Sequence, residues 1–219
     1  ILELLTPILG SKVRLISKGC HKKLAFLPTT GSYNLVSMKK YGSFNQALAI
    51  HIKFLSSFSK ETFLRIKQFY SMSKLGSNEK QFDIVMDKLS SQFMNSLKEN
   101  LSPTTNIFVI DDNYNFTYIS KIISAAKVVI ASDFKTLFFG SLMNEDSTLI
   151  EIIPDGMNCF NFQKMLGNKI DAKYKILENK HKQCKCKDFN NLECYLKHHH
   201  KYDYVDKQAL LDMVKDLLD

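Results

Sequence analysis

The sequence predicts an α/β fold in which helices cover an open parallel sheet. Three short runs in the second half are largely apolar and rich in β-branched residues, at positions 107–110, 127–131 and 148–153. Such runs are typical of buried parallel strands. The segments between them carry apolar residues at helical spacing, and strands that alternate with helices indicate a parallel sheet. Ligands of such sheets bind at the carboxyl ends of the strands.

Composition and charge agree with a folded globular chain. The chain has 219 residues, of which 45% are hydrophobic and 24% charged, and its formal net charge is +8. The positive balance favours an anionic partner, such as a nucleotide, a nucleic acid or a lipid surface, without choosing among them. No uncharged apolar run reaches about 18 residues, so no membrane span is predicted. Because the chain begins at Ile1 without a signal-peptide pattern, we expect it to be the interior of a longer protein.

The first hundred residues divide into two predicted regions. Residues 1–42 are predicted to be short strands separated by glycine and proline, and we interpret them as the remnant of an upstream α/β domain. Residues 43–100 are predicted to be a helical connecting region. Apolar residues recur there at helical spacing from Ser43 to Tyr70, with Ser59 as an N-cap between two helices, and a further helical region is predicted from Gln81 to Asn100.

Residues 101–179 are the predicted α/β domain, and they contain all three apolar runs. Turn-forming residues follow each run, and helical periodicity returns after the turns. Besides the three strands, the predicted elements in chain order are a turn at Asp111-Asp112-Asn113, a helix from Phe116 to Ala126, a turn at Ser132-Asp133, a helix from Lys135 to Leu142, a helix from Gly156 to Leu166 and a last strand from Tyr174 to Leu177.

Residues 180–219 are predicted to be a basic tail rich in cysteine and histidine, followed by a C-terminal helix. The stretch 180–201 holds six lysines and four histidines. The spacing of Cys184, Cys186 and Cys194 fits no standard zinc finger, so no metal is expected. A disulfide between Cys194 and one of the other two is expected in an oxidising compartment, and unpaired thiols are expected in the cytosol.

Several segments of the second half resemble a known family. The segment Ile123-Ser-Ala-Ala-Lys-Val-Val-Ile130 is followed by a short turn, by Leu137 and by Met143-Asn-Glu-Asp-Ser-Thr-Leu-Ile-Glu151-Ile-Ile-Pro154. These pieces resemble the C-terminal domain of glycosyltransferase family 61, which has an apolar strand, a Pro-His-Gly-Ala-Gly-Leu loop, a helix and a Val-Ile-Glu-Ile-Phe-Pro strand in this order. The tail 181–206 is similar to the cysteine-bearing end of the animal branch, which includes secretory-pathway protein O-linked N-acetylglucosamine transferases.

The resemblance implies a GT-B-like fold, of which this chain holds the Rossmann-like C-terminal domain. It implies inverting transfer of a sugar from a UDP-sugar, with UDP-N-acetylglucosamine as the expected donor, to a glycoprotein acceptor in the lumen of the endoplasmic reticulum or Golgi. Neither a metal nor a nucleic acid partner is expected. The resemblance places Asp133 at the family's catalytic histidine position, and it assigns donor binding to Ser132, Lys135, Thr136, Leu137 and Glu151.

The loop residues of this chain differ from the family pattern. Asp133 replaces the histidine, and Phe134 and Thr136 replace the two glycines. An aspartate would repel a diphosphate, whereas Lys135 would attract it. The first alternative is therefore a non-catalytic binding or scaffold protein on the same frame. A basic nucleic-acid-binding domain that uses the Lys/His tail is a weaker alternative.

Two of the assigned site residues and one acidic turn also have other interpretations. Asp133 could be a helix N-cap, and Glu151 could be an exposed strand residue. The turn at Asp111-Asp112-Asn113 imitates a carboxylate metal site of another glycosyltransferase class, although an acidic turn of this kind is common.

Overall fold

The structure is a computed structural model that describes the central and C-terminal parts of the chain. Predictions for the first 58 residues and for the turn at 111–113 lie outside the described residues. The described residues are 59–71, 81–88, 90–110, 116–132, 134–158, 170–180, 184–185, 197–198 and 201–218.

Within the described residues, five strands form one parallel sheet in the order β2-β1-β3-β4-β5. This confirms the predicted α/β sheet and the strands predicted near 107, 128, 148 and 174. The strands are β1 (Ile84–Met86), β2 (Ile107–Val109), β3 (Val128–Ala131), β4 (Thr148–Ile152) and β5 (Lys173–Leu177).

Helices flank the sheet, and the described part of the chain contains no helix with both the length and the apolar character needed to cross a bilayer. The helix predicted from Phe116, the short helix before Leu142 and the C-terminal helix are confirmed. A further helix begins directly after Ser59, the predicted N-cap. The helices are α1 (Lys60–Ser71), α2 (Met94–Asn100), α3 (Phe116–Ala125), α4 (Phe134–Phe139) and α5 (Lys207–Leu218), with 3-10 turns at Ser90–Phe93 and Gly140–Leu142.

The helical prediction from Gln81 to Asn100 is wrong at its start, where β1 lies. All three residues of β1 are buried, and the strand pairs with β2 on one side and β3 on the other. Tertiary pairing therefore overrides the local periodicity that suggested a helix. The region from 43 to 100 therefore contains the strand β1 as well as helices. The helix α2 begins only after the 3-10 turn.

The helix predicted from Gly156 to Leu166 is also wrong at its start. Gly156 has a φ of 77°, a left-handed conformation that an α-helix does not contain. Met157 then forms an isolated antiparallel bridge with Cys184. The chain therefore turns after β4 instead of entering a helix, and the residues from 159 onwards in this prediction lie outside the described ones.

The strand order has a topological switch between β1 and β3. The chain passes from β1 to β2 at one edge, and then crosses back to β3, β4 and β5 on the other side. This order is one of the common orders of doubly wound sheets. Right-handed crossovers in opposite directions require helices on opposite faces. Accordingly, α2 packs on one face and α3 on the other.

Two apolar clusters cover the two faces of the sheet. One contains Val85, Val129 and Leu149 of the strands, packed against residues of α1, α3 and α4. The other contains alternate strand residues, such as Ile84 and Ile130, packed against residues of α2 and α5. The segment 180–219, predicted to be a tail, therefore contributes to the core through Leu210, Leu211 and Val214 of α5.

Asp83 joins the amino ends of three strands. Its carboxylate accepts a hydrogen bond of 3.0 Å from the N–H of Asn106, just before β2, and lies 3.0 Å from Nζ of Lys127, just before β3. The hydrogen bond from the Asn106 N–H holds the pKa of Asp83 below its ordinary value of 3.8, and Lys127 also lowers this pKa. Partial burial acts in the opposite direction but does not cancel these effects.

Acid should therefore weaken the protein partly through Asp83. A group with a depressed pKa in the folded state stabilises the fold above its unfolded pKa, and this contribution disappears as the pH falls through the folded pKa. In Asp83→Asn, the free energy of unfolding should change less steeply than in wild type below about pH 4. Urea titrations at several pH values measure this, with exposed Asp216→Asn as the control. Parallel curves for wild type and Asp83→Asn would contradict the assignment.

Gly140 lies against the buried side chain of Leu149. A Cβ on Gly140 would meet Cδ2 of Leu149 at 2.5 Å and Cδ1 at 3.0 Å. Gly140→Ala should therefore destabilise the fold by about 1 to 3 kcal/mol, because Leu149 has no free space to move into in a close-packed core. Urea unfolding measures the change, and exposed Glu145→Ala serves as the control. Unchanged stability of Gly140→Ala would show that this contact is loose.

Candidate functional site

The carboxyl ends of β1 and β3 meet at the topological switch of the sheet. β1 is followed directly by Asp87, and β3 is followed directly by Ser132. In doubly wound sheets the crevice outside these strand ends is where ligands bind. This edge is therefore the candidate functional site, and it contains Ser132, one of the residues assigned to donor binding.

Asp87 is buried and links the two strand ends through its carboxylate. Oδ1 accepts a hydrogen bond of 2.5 Å from the N–H of Ser90, and Oδ2 accepts one of 2.5 Å from the N–H of Ser132. The first bond caps the 3-10 turn that leads into α2, in the manner of an N-cap residue. The second fixes the backbone where β3 ends. Charged acceptors make strong bonds of this kind, so Asp87 ties the end of β1 to the end of β3.

The hydroxyl of Ser132 is contacted from the C-terminal segment. The phenol of Tyr202 donates a hydrogen bond of 2.7 Å to Oγ of Ser132, which also lies 3.4 Å from Oδ2 of Asp87 and from Oγ of Ser90. Tyr202 is 5% exposed and packs edge-on against Phe93. Tyr202 therefore covers the switch from the side of the second core cluster.

Glu151 lies on the other face of the sheet from the Ser132 hydroxyl. It pairs with Ala131 in the register of β3 and β4, and the phenol of Tyr174 donates a hydrogen bond of 2.7 Å to its Oε2. Burial and the Glu151 charge raise the pKa of Tyr174, so the phenol stays protonated and donates. Glu151 is 5% exposed, and its interpretation as an exposed strand residue is therefore wrong.

The remaining predicted site residues fall in or next to α4. Thr136 and Leu137 are buried, and Leu137 packs in the first core cluster. Lys135 lies in the first turn of α4, and Asp133 lies outside the described residues. The structure thus brings Ser132 and the start of α4 to one strand end, while the side chains of Ser132 and Glu151 point to opposite faces.

Sequence reasoning missed three residues of this site: Asp87, Ser90 and Tyr202. The local pattern does not identify Asp87, because an apolar triplet between two aspartates fits a helix as well as a short strand that runs into a turn. No local signal marks Tyr202, which reaches Ser132 across 70 positions of sequence. Its role depends on how the C-terminal segment folds back over the sheet.

A second buried carboxylate, Asp155, anchors that segment beyond the end of β4. It accepts hydrogen bonds from the side-chain amide of Asn179, from the N–H of Asp203 at 3.0 Å and from the N–H of Tyr204 at 3.3 Å. Its own N–H donates to the carbonyl of Lys201 at 2.7 Å. These bonds surround Tyr202 and fix its position over the switch.

Cys184 is disulfide-bonded, and its partner lies outside the described residues. The predicted pairing of Cys194 with Cys184 or Cys186 stays a prediction, because Cys186 and Cys194 lie outside the described residues. The disulfide removes Cys184 from the possible zinc ligands. The described residues contain no group of three or more side chains suited to a metal ion.

Hydroxyl and carboxylate groups lie at the carboxyl ends of β1 and β3. Ser132 is partly exposed, and it can exchange its bond to Tyr202 for a bond to a hydroxyl-bearing ligand. Asp87 already serves two backbone N–H groups, so it positions the site and is not suited to act as a nucleophile. The arrangement suits recognition of a polar ligand at the strand ends.

No protein-family model matches the chain, and no curated protein matches its sequence. The geometry at the carboxyl ends of β1 and β3 and the resemblance to glycosyltransferase family 61 are therefore what points to a function.

Asp87→Ala should destabilise the fold by about 2 to 4 kcal/mol, since two backbone N–H groups lose a charged acceptor in a buried place. Urea unfolding measures this. Exposed Asp216→Asn, in α5, should stay within about 0.5 kcal/mol of wild type. If Asp87→Ala matched that control, the carboxylate would not hold β1 to β3.

Proposed function

We propose that this chain is the donor-binding part of a glycosyltransferase that resembles family 61. It transfers a sugar, N-acetylglucosamine in our proposal, from a UDP-sugar to a protein-linked acceptor with inversion. The observation that supports this most is the position of Ser132 at the switch between β1 and β3. Ser132 was assigned to the donor by sequence resemblance alone, and the same place is where doubly wound sheets bind ligands.

In the proposed reaction, an acceptor hydroxyl forms a bond to the anomeric carbon of the sugar as the bond from that carbon to UDP breaks. UDP leaves with the bonding electrons, and the hydroxyl proton passes to a base. Asp133 is assigned this role because it stands at the family's histidine position. Lys135, in the first turn of α4, is assigned to neutralise the leaving diphosphate.

The proposal includes localisation in the secretory pathway, in the lumen of the endoplasmic reticulum or Golgi. The disulfide of Cys184 supports it, because disulfides persist in oxidising compartments such as the lumen of the endoplasmic reticulum. A glycoprotein acceptor would be met in the same compartment.

A second candidate is a non-catalytic binding protein on the same frame. It is favoured by the bond between Tyr202 and Ser132, which covers the switch and must be exchanged before a donor reaches the serine. The loop sequence also favours it, because Phe134 and Thr136 stand where the family has glycines. In the family, these glycines let the backbone approach the diphosphate.

Calorimetric titration of the purified protein with UDP and with UDP-N-acetylglucosamine separates the two candidates. The glycosyltransferase proposal predicts that UDP binds with a dissociation constant in the micromolar range. It also predicts that this constant is the same when the titration is repeated with manganese. Binding that requires manganese would instead assign Asp111 and Asn113 as metal ligands. Absence of binding at millimolar UDP would favour the non-catalytic protein.

Lys135→Ala should weaken UDP binding about tenfold, which corresponds to the loss of one charged phosphate contact of about 1.4 kcal/mol. The matched control is Lys173→Ala, because Lys173 is exposed at the amino end of β5, the opposite edge of the sheet. Equal UDP affinity in wild type and Lys135→Ala, measured by the same calorimetry, would remove Lys135 from the donor site.

A further inference from the structure

Beyond the end of β4, three buried side-chain atoms have no hydrogen-bond partner among the described residues. They are Nδ1 of His198 and both amide atoms of Asn158. His198 is only 7% exposed, and its ring donates a hydrogen bond to the backbone carbonyl of Asp155. Burial without a partner is costly, because such groups lose their bonds to water. Unpaired groups of this kind are therefore expected where a ligand supplies the missing bonds.

The described charges acting on the His198 ring are positive. Burial lowers the pKa of His198, and the charges of Lys185, Lys201 and Lys197 lower it further. The carboxylate of Asp155 is already engaged by three hydrogen bonds. The ring is therefore neutral at neutral pH and lies in a positive surrounding, which is a setting for an anion.

Lys185 is held in place beside the turn that carries Asn158. Its N–H donates a 2.7 Å hydrogen bond to the carbonyl of Gly156, and the bridge between Met157 and Cys184 lies next to it. The aliphatic part of Lys185 packs on Gly156, where an added Cβ would come within 3.1 Å of the lysine side chain. The glycine thus leaves room for the aliphatic part of Lys185, whose charge acts on the nearby His198 ring.

We propose that Asn158, His198 and Lys185, with Lys197 and Lys201 around them, form a binding site for a phosphate group. The amide N–H of Asn158 donates to a phosphate oxygen, and the lysines supply charge. Nδ1 of His198 takes up a proton and donates as well. This inference does not depend on the proposed sugar transfer, since free phosphate and a nucleoside diphosphate present the same chemistry to these side chains.

The experiment is NMR of the histidine rings in the intact ¹⁵N-labelled chain, titrated separately with inorganic phosphate and with UDP at constant ionic strength. His198→Gln identifies the His198 signal. Phosphate should shift this signal saturably and raise the pKa of His198 by about one pH unit, because a bound anion favours the protonated ring. Lys185→Met should weaken phosphate binding about tenfold. Lys173→Met, at the amino end of β5, should leave it unchanged.

The two arms give distinct outcomes. A saturable response to either anion that Lys185→Met weakens supports the site, and a response to UDP alone identifies a nucleoside diphosphate as the source of the phosphate. No response of His198 to either anion, or an equal response in Lys185→Met, overturns the proposal. If phosphate binds here while calorimetry detects no UDP, the sugar-transfer proposal fails and the phosphate site stands.

Discussion

The sheet depends on the pairing of β1 with both of its neighbours. This strand has three residues, yet it lies between β2 and β3, and the connection from β2 to β3 crosses it. A strand so short has few ladder bonds to hold it. Aspartates at its two ends add to them: Asp83 accepts a bond from the N–H of Asn106 before β2, and Asp87 accepts one from the N–H of Ser132 after β3. The two carboxylates thus fix β1 to its neighbours at the two ends of the strand.

The same constraint shapes the candidate site. Since Asp87 fixes the backbone of Ser132, the position of the serine hydroxyl follows from the pairing of β1 and β3. Tyr202 reaches that hydroxyl because Asp155 holds the residues that follow it. A ligand at the switch would have to replace the phenol of Tyr202. Its binding is therefore coupled to movement of a segment that hydrogen bonds beyond β4 keep in place.

The elements that the sequence predicts correctly have strong local patterns. β3 is a continuous apolar run, β4 is largely apolar, and α3 has a clear apolar face, so the local pattern identifies all three. β1 has no such pattern, because an apolar triplet between two aspartates is compatible with a helix until its partners are known. The site was predictable as an edge of the sheet and at Ser132. Its other members could not be predicted, since Asp87 contacts Ser132 across 45 positions and Tyr202 does so across 70.

The polar groups at the carboxyl edge of the sheet differ in whether the chain itself satisfies their hydrogen bonds. Asp87 and Asp155 are buried charges, and each is surrounded by donors from the chain itself, which is what a structural carboxylate requires. Nδ1 of His198 and the amide atoms of Asn158 are buried beyond the end of β4, as Asp155 is, and no described residue satisfies their hydrogen bonds. Asp155 finds its donors in the chain and these atoms do not, so the difference lies in the partners. In the proposed phosphate site, the anion accepts hydrogen bonds from the Asn158 amide and from Nδ1 of the protonated His198 ring.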